Sequence, residues 1–210
     1  MNKLGDLSCN EFLTELASAA PAPGGGGGAA MAGALAAALA SMVANLTIGK
    51  EKFADREPEV KELLEQAEAE RVRLLTLVDE DAAVFNSFMS CYKLPKTTDE
   101  EKAARTAAIR AAAKQAATVP LNIARSSFAV LKLADRLVVA GNPGVITDGA
   151  CSGLLARAAL RCAEYNVRIN LGLTKDEAWN AQAAAELVQL LTDAEALETR
   201  LLAVTDKALQ

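Results

Sequence analysis

The sequence predicts an all-α fold, an antiparallel bundle of long helices forming one domain over residues 1–210. Three observations carry this expectation. Capping boxes recur, at Ser8-Cys9-Asn10-Glu11, Thr98-Asp99-Glu100-Glu101 and Thr174-Lys175-Asp176-Glu177. Apolar residues return every three or four positions over long stretches, and alanine, the strongest helix former, occurs 45 times in 210 residues. Nothing reads as a series of strands, since Val145-Ile146 is too short for one. A chain this long buries roughly 70% of the surface its unfolded form exposes, so it needs no metal or disulfide staple.

In chain order, the Ser8 box opens a short helix ending near Ala20, stopped by Pro21-Ala22-Pro23. Gly24 to Gly28 read as a loop before an alanine-rich helix that ends near Gly49. On that helix Ala32, Gly33, Ala36, Ala37 and Ala40 leave a face without bulk, suited to close helix packing or to a flat ligand. Residues 29–48 are the one membrane-span candidate. They hold few large apolar side chains, so a buried helix is expected and no membrane partner.

Pro58 suits the first turn of a third helix that runs to about Cys91. Leu94-Pro95-Lys96 is a connector. A fourth helix extends to Ala140, with a kink expected at Pro120. Gly141-Asn142-Pro143-Gly144 is a loop, after which Thr147 or Asp148 caps a helix reaching about Leu171. The last helix carries a seam at Leu187, Leu190, Ala194, Leu197, Leu201, Val204 and Ala208. Packing inside the bundle is its simple explanation, and a dimer coiled coil the other.

Bulk properties exclude several classes of function. There is no histidine, which removes Ser-His, Cys-His and His-metal chemistry. Catalysis then falls to carboxylates, lysine, tyrosine or backbone groups. A net charge of −5 argues against a nucleic-acid partner. Cys9, Cys91, Cys151 and Cys162 form no C-x-x-C pair and are expected to be reduced and buried. With an opening, Met1 to Asp6, that lacks a signal-peptide pattern, this suggests a cytoplasmic protein.

The informative residues are polar ones on apolar faces. The third helix has a seam at Val60, Leu64, Ala67, Leu74, Val78, Phe85 and Phe88, and Arg71 and Asp81 interrupt it. Leu77, Val78, Val84 and Phe85 surround Asp81 at helical spacing. Its carboxyl should be desolvated, with a raised pKa, and fit to move a proton near neutral pH. A buried ion pair is the competing explanation. Asp79 lies about 200° around the helix, in a smaller and more solvated setting.

Asn166 and Asn170 share a face of the fifth helix, and Asn45 interrupts the alanine helix, as core networks or as ligand contacts. The glycine run and the loop from Gly141 to Asp148 each lead into a helix N-terminus, a setting that suits anions. Lys102, Arg105, Arg110, Lys114, Arg125, Lys132 and Arg136 make the fourth helix locally basic. That is a solvated face or the rim of an anionic-substrate site.

Six segments in order carry a resemblance: Pro21-Ala22-Pro23-Gly24-Gly25-Gly26, Leu77-Val78-Asp79-Glu80-Asp81, Leu94-Pro95-Lys96, Val119-Pro120-Leu121, Gly141-Asn142-Pro143 with Thr147-Asp148, and Asn166-Val167-Arg168-Ile169-Asn170. Over about residues 8–205 the chain resembles the formimidoyltetrahydrofolate cyclodeaminase / methenyltetrahydrofolate cyclohydrolase family. The resemblance implies a helical homodimer with a tetrahydrofolate derivative as substrate, bound in a cleft near the subunit interface. It places the catalytic aspartate in the Asp-x-Asp segment, and the helical wheel selects Asp81.

Asn142, Asp148, Asn166 and Asn170 then orient the pterin or a proton-transfer water, Asn45 is a further substrate-binding candidate, and Gly24 to Gly28, among them Gly25 and Gly26, with Lys50, Lys96 and Arg125 hold the glutamate tail. No prosthetic group or metal is expected. Gly27 replaces the family's serine and Gly144 its asparagine, which puts those contacts in question. Three readings follow. The favoured one is hydrolysis of 5,10-methenyltetrahydrofolate to 10-formyltetrahydrofolate. The second is cyclodeamination of formimidoyltetrahydrofolate with loss of ammonia, which needs a formiminotransferase partner. The third is a helical folate-binding scaffold without catalysis.

Overall fold

The computed structural model describes residues 3–210, so Met1 and Asn2 of the opening segment lie outside the described residues. Six α-helices follow a short 3-10 turn at Leu4–Asp6: α1 (Cys9–Leu16), α2 (Gly24–Asn45), α3 (Glu57–Cys91), α4 (Asp99–Ala140), α5 (Ile146–Thr174) and α6 (Glu177–Ala208). Two more 3-10 turns, Glu51–Phe53 and Pro143–Val145, precede α3 and α5. No strand occurs among the described residues, so the all-α bundle expected from the sequence is the fold.

Alanine sets the architecture. Ala36, Ala37, Ala40 and Ala44 of α2 are wholly buried, and α2 packs against α3, α5 and, more lightly, α4. The lack of bulk lets backbones approach, so that Ser152 Oγ of α5 donates to the Ala36 carbonyl at 2.7 Å. At Gly33 a Cβ would lie 3.0 Å from Leu74 and 3.1 Å from the Ser127 hydroxyl. By length and hydropathy α2 could cross a membrane, yet its buried residues face its neighbouring helices.

α3 and α4 form a hairpin, as do α4 and α5, and α6 lies over α4 and α5. The α6 seam packs within the chain: Leu187, Ala194 and Leu201 are buried, whereas Ala208 at its end is exposed. Gly153 of α5 makes room for Leu201, since a Cβ there would lie 2.5 Å from Leu201 Cδ1. Leu63, Leu74, Ile123, Leu131 and Leu160 are also fully buried, each contributing about 1.5–3 kcal/mol.

The boxes at Ser8 and Thr98 form as expected, with Glu11 and Glu101 closing them. Other boundaries differ. α1 ends at Leu16 rather than near Ala20. The glycine run is not a loop: α2 begins at Gly24, whose φ of +56° turns the chain into the helix. The residue at the N-cap of α5 is Val145, not Thr147 or Asp148, because the 3-10 turn runs straight into the helix and Asn142 caps that turn by accepting the Gly144 N–H. Asp176 caps α6, while Thr174 is the last residue of α5. The cysteines also differ from expectation: Cys9, Cys151 and Cys162 are exposed, and Cys91 is half-buried, its Sγ donating to the Ala108 carbonyl of α4.

α4 runs through Pro120 without a break. Proline has no N–H, so the Ala116 carbonyl loses its helical donor. Asn170 Nδ2 supplies one instead, at 2.8 Å, which ties α5 to α4.

Candidate active site

The two carboxylates of the Asp-x-Asp segment face different ways. Asp79 Oδ1 accepts the N–H of Leu4 at 2.6 Å and of Gly5 at 3.4 Å, pinning the N-terminal segment to α3. Asp81 points at the first turn of α2. A Cβ on Gly26 would lie 2.4–2.6 Å from all three atoms of its carboxyl group, so only glycine leaves room for it. Burial pushes the Asp81 carboxyl up to about 6, partly offset by the Gly27 N–H beside it, and no cation contributes. The competing explanation, a buried ion pair, is absent among the described residues. Arg71, the other polar residue on the seam, is half-buried and pairs with Glu68 at 2.7 Å.

Asn166 flanks the same turn from α5. Its amide atoms lie 3.5 and 3.6 Å from a Cβ built on Gly25. Asn166 Nδ2 donates to the Cys162 carbonyl, while Oδ1 is left to accept. The α2 N-cap is Pro23, which offers no side-chain oxygen. The N–H groups of Gly24 to Gly26 therefore add the positive end of the helix dipole to the floor of this site. The arrangement is a desolvated carboxylate, a side-chain amide and free backbone donors around one glycine turn. It can transfer a proton at neutral pH and stabilise a nearby positive charge.

Past this level α3 continues beyond the start of α2, with Phe85 37% and Met89 45% exposed. Phe85 was expected on the apolar seam. It is exposed because α2 does not extend far enough to cover it.

The expected site residues do not form one cluster within the chain. Gly24, Gly25, Gly26, Asp81 and Asn166 come together. Asn170 lies one turn further along α5, with its Nδ2 donating to Ala116 and Asn166 carbonyls. Asn45, Lys50, Asn142 and Asp148 lie at the opposite end of α2, about 30 Å away by helix rise. There the buried Thr47 hydroxyl accepts the Asn142 N–H, and Asn142 Nδ2 donates to the Leu46 carbonyl. Arg125 holds Glu186 of α6 through two bonds of 2.6 Å, so its guanidinium already has a carboxylate. Lys96 is exposed on the connector between α3 and α4.

Gly27, at the position of the family's serine, is closely surrounded. A side chain there would meet Pro23 at 2.8 Å and Val78 at 3.9 Å. A Cβ that close to Pro23 would force the entry loop to shift, so this turn accommodates glycine. No cluster of three His, Cys, Asp or Glu among the described residues is placed to hold a metal ion. Sequence reasoning missed the steric role of Gly26. The signal was the glycine run itself, directly ahead of a helix rich in the smallest residues.

The formiminotransferase-cyclodeaminase family matches residues 8–189. The methenyltetrahydrofolate cyclohydrolase of Methylorubrum extorquens is 45% identical over 197 residues, covering 94% of this chain and 95% of that protein. The formimidoyltransferase-cyclodeaminase of Sus scrofa is 34% identical over 183 residues, 87% of this chain but only 34% of that longer protein. The crystal structure of formiminotetrahydrofolate cyclodeaminase from Thermotoga maritima superposes with a TM-score of 0.89 at 29% identity, covering 99% of this chain and all of that one. A helical chain that sets Asp81 and Asn166 at one glycine turn, and that aligns with these proteins along nearly its whole length, belongs to the formiminotransferase-cyclodeaminase family.

Proposed function

We propose that this chain is a methenyltetrahydrofolate cyclohydrolase, an enzyme that hydrolyses 5,10-methenyltetrahydrofolate to 10-formyltetrahydrofolate, with Asp81 as the proton-transfer group. The observation that carries the reading is the 45% identity to a methenyltetrahydrofolate cyclohydrolase of matching length. The site supports it chemically. The methenyl bridge is a cation shared between N5 and N10, and an ionised Asp81 beside it favours its binding. As water adds to the bridge carbon, the carboxylate takes one of its protons. The neutral tetrahedral adduct then collapses. The C–N5 bond breaks, Asp81 returns its proton to N5, and the hydroxyl proton leaves to solvent as the formyl carbonyl forms. The balance is cation plus water giving neutral product plus one proton.

Cyclodeamination is the second reading, supported by the Thermotoga maritima cyclodeaminase that shares this fold. There N10 attacks a formimino carbon on N5 and ammonia departs, with the same carboxylate moving the proton. In the vertebrate relative the matching region is about a third of the protein. A side-by-side assay separates the two readings. Loss of methenyl absorbance at a rate proportional to enzyme supports the cyclohydrolase. Turnover of formimidoyltetrahydrofolate with ammonia release and slower methenyl loss favours the cyclodeaminase, and inactivity on both favours a scaffold. The substrate is expected in the cytoplasm, where this reading places the enzyme.

The working unit in this reading is a homodimer. α2 and α5 leave Leu35, Met42, Leu46, Leu154, Tyr165 and Ile169 exposed along one side of the bundle, an apolar stripe that a second copy would cover. A two-fold axis crossing those helices at right angles would set the Asn142–Asp148 end of one subunit beside the Asp81 end of its partner. Light scattering gives the mass directly, and a monomer at working concentration removes this part of the reading.

A further inference from the structure

We propose that Phe85 is the platform on which the flat ring system of the folate substrate lies, holding its one-carbon bridge over Asp81. This rests on the folate reading above and adds the residue that positions the ring. The geometry of α2 against α3 carries it. The two helices run antiparallel, with Val78 opposite Gly27 and Asp81 opposite Gly26. One turn beyond Asp81 on the same face of α3 is Phe85, about 6 Å further along the axis. α2 has no residue at that level, because its first residue is Gly24.

Phe88 provides the contrast. It sits on the same stretch of α3 and is 9% exposed, with Tyr92 edge-on at 5.3 Å between ring centroids. Phe85 has no aromatic partner among the described residues, and 37% of it is exposed. An uncovered ring directly above a desolvated carboxylate bounds the space that a further turn of α2 would fill. That space has a negative group at its base, free amides on its floor and an aromatic face on its wall.

A ligand that matches all three is flat, carries hydrogen-bond acceptors for the free amides, and bears its positive charge beside the carboxylate and the ring. Aromatic faces attract cations as well as flat rings, so Phe85 and Asp81 both favour the methenyl cation over the product, whose bridge is no longer charged. Phe85 is therefore a positioning residue. Its loss should raise KM while leaving the proton-transfer group intact.

The test uses the full chain with methenyltetrahydrofolate. Phe85→Ala should raise KM about 10-fold, lower kcat because the bridge is no longer held over Asp81, and leave the midpoint of the kcat–pH profile where it is. Phe85→Tyr should restore KM to within about 3-fold, and Val72→Ala, at a 55% exposed position elsewhere on α3, should change neither. A KM within 2-fold of wild type for Phe85→Ala overturns the proposal, as does an equal loss in Phe85→Tyr.

Equilibrium titration of the ligand into Asp81→Asn and Asp81→Asn/Phe85→Ala separates this from failure of the enzyme reading. Weaker binding by the double variant supports the platform even if the wild type turns nothing over. Equal binding by both overturns it.

Discussion

Asp79 and Asp81 are the same residue type, two positions apart on one helix, and they meet opposite environments. Asp79 faces the N-terminal segment and is engaged there, accepting two backbone N–H groups. Asp81 faces the glycine turn of α2, meets no cation, and is pushed up to about 6 by burial. One carboxylate has its acceptor capacity used to hold the fold together. The other is left desolvated, with its proton affinity near neutrality. Residue identity therefore does not mark the group proposed to react. What marks it is the absence of a committed partner in a place where the charge is costly.

The sharpest way to break this contrast is to exchange carboxylate for amide at each position. Asp81→Asn keeps the shape and removes the titrating group, so kcat should fall about 1000-fold with an unchanged circular-dichroism spectrum. Near wild-type turnover would assign the proton transfer elsewhere. Gly26→Ala approaches the same group indirectly. Its Cβ would overlap the Asp81 carboxyl at 2.4–2.6 Å, so Asp81 must move, and a displacement of about 1 Å costs about 100-fold in rate. Steady-state kinetics on both variants measures the two effects. A Gly26→Ala enzyme as active as wild type would mean that the position of Asp81 does not matter.

Much of this contrast was legible in the sequence, because it is local. The apolar neighbours of Asp81 at i−4, i−3, i+3 and i+4 predict desolvation without any tertiary information. The Ser8 and Thr98 boxes are read from four residues each. The glycine run was not legible in the same way. Glycine disfavours helix by about 1 kcal/mol per residue relative to alanine, so five together read as a loop. Contact with Asp81 and Asn166 in the folded bundle reverses that preference.

The grouping of the polar residues failed for a related reason. Asn142 and Asn166 both look like ligand contacts, but α2 separates them by its full length, and only the antiparallel packing reveals that. Asn170 is explained by Pro120, 50 positions away, through the carbonyl that the proline leaves without a donor. The exposed cysteines could not be foreseen either, since they sit on helix sides that are apolar in pattern but face no other helix of this chain.

The raised pKa also couples Asp81 to stability. The folded carboxyl is pushed up to about 6 from the ordinary aspartate value of 3.8, so between about pH 4 and pH 6 the folded state binds the proton more tightly than the unfolded state. The stabilising contribution of the protonated form is complete below about pH 4 and is lost as pH rises through 6. Asp81→Asn has no such dependence. The stability difference between variant and wild type should therefore shift in favour of the variant by about 2 kcal/mol between pH 4 and pH 7.5. Urea unfolding of both proteins at the two pH values measures it, and the shared titration of the other carboxylates cancels. A constant difference would mean that Asp81 is not desolvated. In the same range, kcat/KM of the wild type should rise with a midpoint near 6 as the carboxylate form of the free enzyme appears.

Asp79→Asn is the smallest effect and completes the contrast. The amide keeps an oxygen where Oδ1 accepts from Leu4 and Gly5, so the bonds persist, but the charge that strengthens them is gone. The cost should be about 1 kcal/mol of stability, read as a lower urea midpoint at constant slope. The turnover number should remain within 2-fold of wild type, because nothing that Asp79 holds lies at the glycine turn. The two variants thus predict opposite pairings at pH 7.5. Asp81→Asn gives a more stable and inactive protein, and Asp79→Asn a less stable and active one. If Asp79→Asn also lost turnover while melting like wild type, the N-terminal segment it pins would have to take part in the reaction. The division of labour between the two carboxylates would then be wrong.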